Sequence, residues 1–166
     1  NLTFYQGGLG DYFSGGHYGS IWIDYDNDGD LDAFLTNYSS AVNRFYKNNN
    51  GTYESLSNAL TLSGSYLSNS WGDIDNDGDN DVLGAALSDN EIAWWKNEGG
   101  NPIEWTKYII ANDFDWAHHV YADDVDNDGF IDVLGAAYSG NEISWWRNEG
   151  GEPISWNKQV VDTLRY

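Results

Sequence analysis

Asp73-Ile74-Asp75-Asn76-Asp77-Gly78-Asp79-Asn80-Asp81-Val82-Leu83-Gly84-Ala85-Ala86 returns 51 residues later as Asp124-Val125-Asp126-Asn127-Asp128-Gly129-Phe130-Ile131-Asp132-Val133-Leu134-Gly135-Ala136-Ala137. The match runs on from Asn90–Gly100 to Asn141–Gly151, and ends at Ile103–Lys107 against Ile154–Lys158. A looser copy begins at Asp24, 49 residues before Asp73. In it Phe45 keeps the 21-residue offset that Trp94 and Trp145 have from their own loops. Self-similarity at a fixed period marks a repeat architecture, here with three copies.

Within a copy the patterning is β. Short apolar runs such as Asp81–Ala86 are bounded by turn residues (Ser88-Asp89-Asn90), and Glu91–Lys96 is rich in strand formers. Ile103–Ile110 alternates, and Asn69–Gly72 leads into the aspartate loop. Each copy thus supplies four strands, the size of one propeller blade. The expected fold is all-β: three four-stranded antiparallel blades over about 15–63, 64–114 and 115–163.

The loops read D-x-D-x-D-G-x-x-D. Position one is Asp24, Asp73 or Asp124; position three is Asp26, Asp75 or Asp126; position five is Asp28, Asp77 or Asp128. Glycine at position six (Gly29, Gly78, Gly129) permits a sharp turn. Position seven is Asp30, Asp79 or Phe130, so its common ligand atom has to be the backbone carbonyl. Position nine is Asp32, Asp81 or Asp132. Carboxylates crowded this closely repel one another without a cation, and alternate residues of such a loop can wrap a calcium ion. About three calcium ions per chain are expected, with magnesium disfavoured by its rigid octahedral demand. An EF-hand is excluded, because position twelve is Leu35, Gly84 or Gly135 rather than glutamate.

Composition narrows the partners. The formal charge of −20 opposes nucleic acid and anionic membrane surfaces, while 16% aromatic content speaks against an acidic disordered tail. There is no cysteine for disulfides or thiolate metal sites. No apolar run is long enough to insert in a membrane. The chain has no methionine, so Asn1 is read as the start of a processed product or of a piece of something longer.

Aspartate loop, Val-Leu-Gly-Ala-Ala, then Ile-x-Trp-Trp-x-Asn-Glu-Gly: this pattern resembles the FG-GAP/VCBS repeats of integrin α-subunit propellers and many bacterial surface and secreted proteins. The resemblance covers about residues 15 to 163. It implies one calcium ion per loop, held by the twelve aspartates at positions one, three, five and nine plus the carbonyl at position seven. Such propellers close with about seven blades. Three blades therefore imply a longer parent chain, an oligomer or an open array, outside the cell or on its surface.

The adjacent pairs Trp94-Trp95 and Trp145-Trp146 have to point to opposite faces of their strands. One member packs between blades and the other is a candidate platform for sugar rings. Trp22 and Trp71 are expected in the core. His118-His119, unique to the third copy, are expected to face opposite ways and to hold no metal; His17 is read as structural. Sequons stand at Asn1, Asn37 and Asn50. The seven basic residues read as scattered. No catalytic set stands apart from the repeat, so the expected function is non-enzymatic: adhesion, surface structure or display of a protein or glycan ligand. The alternatives are a lectin using exposed Trp and, further off, part of a polysaccharide-degrading enzyme.

Overall fold

The computed structural model describes residues 17–37, 44–56, 60, 66–100 and 102–163. Asn1 lies outside them, as do Tyr38 and Ser39 of the second sequon and the side chain of His17. The described residues form twelve strands in three antiparallel sheets, each in simple chain order. The first sheet holds β1 (His17–Ile23), β2 (Asp32–Asn37), β3 (Arg44–Asn49) and β4 (Thr52–Leu56). The second holds β5 (Tyr66–Gly72), β6 (Asp81–Ala86), β7 (Glu91–Gly100) and β8 (Ile103–Ala111). The third holds β9 (Ala117–Asp123), β10 (Asp132–Ala137), β11 (Glu142–Asn148) and β12 (Trp156–Thr163). Among the described residues no helix is long and apolar enough to cross a membrane.

The aspartate loops join the first and second strand of each blade, where Ile23 pairs with Asp32, Gly72 with Asp81 and Asp123 with Asp132. The blades stack through their first strands: β5 lies against β1 and β2, and β9 against β5 and β6. Fourth strands lie outermost, and β12 is exposed along almost its whole length.

Both hydrophobic cores form between blades. Phe34, Phe45, Tyr66, Val82, Ala93 and Trp95 fill the space between the first and second. Leu83, Ile92, Trp94, Phe114, Val133 and Trp146 fill that between the second and third. The neighbours Trp94 and Trp95 do enter opposite faces of β7, as pleating dictates, but each face meets a blade. Trp94, Trp95 and Trp146 are consequently 3%, 4% and 2% exposed, which removes them as open platforms for sugars. Trp145 alone of the four stays half-buried, on the face of the third blade that has no neighbouring sheet among the described residues.

Trp22, expected in the core, is half exposed and meets Tyr53 edge to face at 5.9 Å. Trp71 packs against the first core beside Phe34 and Phe45.

Gly84 and Gly135 lie beneath these aromatic rings. A Cβ at Gly135 would stand 2.8 Å from both Ile92 Cδ1 and Trp146 Cζ3, and 3.0 Å from Phe114. Overpacking of this kind costs about 1–3 kcal/mol. Gly135→Ala should therefore lower the urea midpoint of the chain in calcium by a corresponding amount; an unchanged midpoint would contradict this packing.

Candidate cation sites

Each loop turns on residues in the left-handed region: Asn27, Asn76 and Asn127 at φ 57°, 60° and 61°, then glycine at position six. Asparagine and glycine are the residues that adopt this conformation at least cost. The position-one carboxylate then accepts loop N–H groups. Asp24 takes those of Asp28 (3.0 Å) and Gly29 (2.9 Å), and Asp124 those of Asp128 and Gly129 (both 3.0 Å). Asp73 takes that of Gly78 at 3.0 Å.

Position nine is the most buried carboxylate of each loop: Asp32, Asp81 and Asp132 are all 0% exposed. Its Oδ2 accepts the N–H of position two, from Tyr25 (3.1 Å), Ile74 (2.9 Å) or Val125 (3.1 Å). Its Oδ1 accepts an N–H from the third strand, from Asn48 (2.7 Å), Asn97 (2.8 Å) or Asn148 (2.8 Å). Burial pushes the Asp81 carboxyl up to about 7 against those two hydrogen bonds, with Asp75 and Asp77 adding repulsion. Burial raises Asp73 and Asp32 as well.

In every loop the carboxylates of positions one, three and nine converge. Asp24/Asp26/Asp32, Asp73/Asp75/Asp81 and Asp124/Asp126/Asp132 each offer three oxygens within 4.8 Å of one another. Oxygens bound to one calcium at about 2.3–2.6 Å span about that distance. Asp26 Oδ1 and Asp73 Oδ1 are buried with no hydrogen-bond partner, as expected of oxygens that face a cation. These triads can hold a metal ion.

Positions five and seven are placed differently. Asp28, Asp77 and Asp128 lie outside the triads, each using Oδ1 to accept the position-seven N–H at 3.0 Å. Asp30 Oδ2 accepts the N–H of Asn50 at 2.7 Å, and Asp79 Oδ1 accepts from Asn27 Nδ2 at 3.0 Å. Phe130 lays its ring close to Gly150.

The five basic residues whose side chains are described are not scattered. Lys47, Lys96 and Arg147 each stand 23 residues after position one, a spacing visible in the sequence once the loops are aligned. Lys96 pairs with Asp75 and, at 3.0 Å, with Asp77; Lys47 pairs with Asp26 and, at 3.3 Å, with Asp28. Arg147 spans Asp126 (2.5 Å) and Asp128 (2.7 Å). Lys107 and Lys158 also recur, paired with Glu91 (2.6 Å) and Glu142 (2.8 Å).

The asparagine that follows each loop-facing cation was equally readable by offset. Asn97 Nδ2 donates to the Tyr25 carbonyl of the preceding blade (3.2 Å), and Asn148 Nδ2 to that of Ile74 (2.9 Å). Asn76 Nδ2 reaches the Gly129 carbonyl (3.1 Å) and Asn80 Nδ2 the Asp24 carbonyl (3.1 Å), so the loops form a hydrogen-bonded row.

An FG-GAP-like repeat matches residues 24–84 and again 73–135, each match running from one aspartate loop into the next. No curated protein matches the chain.

Asp81→Ala would strand the buried N–H groups of Ile74 and Asn97, at about 1–3 kcal/mol each. Its melting temperature in calcium should fall well below that of Asp79→Ala, whose side chain accepts a hydrogen bond from the Asn27 amide at an exposed place; equal losses would refute the clamp. Lys96→Gln should cost about 1 kcal/mol in chelator, where Asp75 and Asp77 lose their counter-charge, and less in calcium. Chemical denaturation under both conditions checks this.

Proposed function

Because the chain belongs to the FG-GAP-like repeat family, we propose that it is a calcium-binding extracellular module, non-enzymatic, whose blades display a surface for a protein or glycan ligand. The observation that carries the calcium reading is the convergence of three carboxylates in every loop, two of them with an unpaired buried oxygen. An all-oxygen donor set of flexible geometry suits calcium better than magnesium, which holds its waters and demands a regular octahedron. On this reading the ligands are Asp24, Asp26, Asp32 and their counterparts, with position five and the position-seven carbonyl (Asp30, Asp79, Phe130) completing the shell. Lys47, Lys96 and Arg147 offset part of the charge that a dication leaves behind.

A location outside the cell fits loops of the affinity usual for extracellular modules. Extracellular calcium modules bind at about 0.1–1 mM, above the calcium available in a cytosol. A further blade, from a longer parent chain or from another copy, is the natural neighbour for the third sheet. Leu134, Ile143 and Trp145 remain half-buried on its open face, whereas Leu83, Ile92 and Trp94 are covered at the same places in the second.

The number of ions is the direct test. Native mass spectrometry of the chain in calcium should give three ions, and chelation should lower the melting temperature, since binding to the folded state adds to stability. A chain that holds no calcium at millimolar concentration would remove the central claim. A multimer that dissociates in chelator would identify another copy as the partner of the open face.

A further inference from the structure

The first strand of the third blade breaks the repeat. Residues 73–100 and 124–151 differ at only seven positions, yet no residue of 65–72 recurs at 116–123. The newcomers include Trp116, His118 and His119, and one of the seven differences places Tyr138 where the second blade has Leu87. These four side chains, from two separate segments, line one cavity of about 650 Å³ beside β1 and β5.

Trp116 and Tyr138 stack with ring centroids 5.9 Å apart and planes 22° off parallel, yet they are 46% and 68% exposed. Neither belongs to a core cluster. Trp116 also adopts φ +57°, a conformation that a bulky side chain rarely takes without a local constraint. The constraint is present: its N–H donates to Asn90 Oδ1 at 2.8 Å and its carbonyl accepts from Tyr138 N–H at 3.0 Å.

The histidines do not sit as strict alternation requires. His119 pairs with Ala136 and Ala117 with Ala137, which leaves His118 as the extra residue of a β-bulge. Both imidazoles are exposed and both line the cavity. Among the described residues the groups of three or more side chains that could hold a metal are the aspartate triads, and neither histidine belongs to one.

The chemistry of the wall selects the ligand. Among the described residues that line the cavity, the only ionisable side chains are the two histidines and the Tyr138 phenol. The net charge of −20 elsewhere repels anions. Two exposed ring faces call for a flat apolar surface, while the two exposed imidazoles call for hydroxyls. A pyranose ring combines these features, with C–H groups on its faces and hydroxyls on its rim. We propose that Trp116, Tyr138, His118 and His119 form a binding site for a neutral saccharide, stacked on the aromatic pair. The proposal rests on the reading of the chain as a ligand-displaying module and names the ligand class and the place.

The test is calorimetric titration of the calcium-saturated chain with neutral gluco-, manno-, galacto- and chito-oligosaccharides. At least one should bind with a Kd of about 1 mM or tighter. Trp116→Gly, which keeps the left-handed backbone, and Tyr138→Ala should each weaken it about tenfold or more, with calcium stoichiometry unchanged. Trp145→Ala should leave it unaltered. No binding by any of these sugars to the calcium-loaded chain, or undiminished binding by both Trp116→Gly and Tyr138→Ala, overturns the proposal. A chain that binds no calcium yet takes a sugar through Trp116 would fail the calcium reading and uphold the site.

Discussion

The structure hangs on a carboxylate with no access to water. Asp81 and its counterparts Asp32 and Asp132 close their loops at 0% exposure, with one oxygen on the N–H of position two and the other on the third strand. A buried charge is tolerated only when such partners offset its desolvation. One side chain thereby fixes the start of the loop, the second strand that begins at the aspartate itself, and the third strand. The residue supplying the third-strand N–H, Asn97 or Asn148, uses its own amide to reach the preceding blade. Closing a loop and docking a blade are thus adjacent events in the chain.

Docking then sets the cores. No blade has a core of its own, because a four-stranded sheet is a single layer that must cover both faces. The same run, Asp-Val-Leu-Gly-Ala-Ala, shows the consequence twice. In β6, with a blade on either side, every residue is buried; in β10, with one side open, Leu134 and Ala136 are only half-buried. Tryptophan pairs on the third strands serve this geometry by filling both faces at once.

Variation between the second and third blades is distributed unevenly. Loop, second strand and third strand are nearly constant, and they are the parts that hold carboxylate, cation and interblade amide. The first strand is free to change, since its backbone pairing and bulge recur in all three sheets whatever the side chains. A constant frame with a variable inner strand is a physical arrangement in which recognition can change without disturbing the loops.

Much of this was legible in the residues alone. Spacing placed the three four-stranded blades and the loop between strands, because glycine, asparagine and alternation act over a few residues and need no distant neighbour. It also contains the offsets of Lys96 and Asn97, which recur at Lys47, Asn48, Arg147 and Asn148. What the sequence alone did not decide was exposure. Trp94 and Trp145 occupy equivalent places, and only the sheet stacked against β7 makes one core and leaves the other half open. Likewise alternation alone sends His118 and His119 to opposite faces, and a bulge suspends it. The reason is general: backbone preference is local, whereas burial depends on what the chain brings back from some 50 residues away.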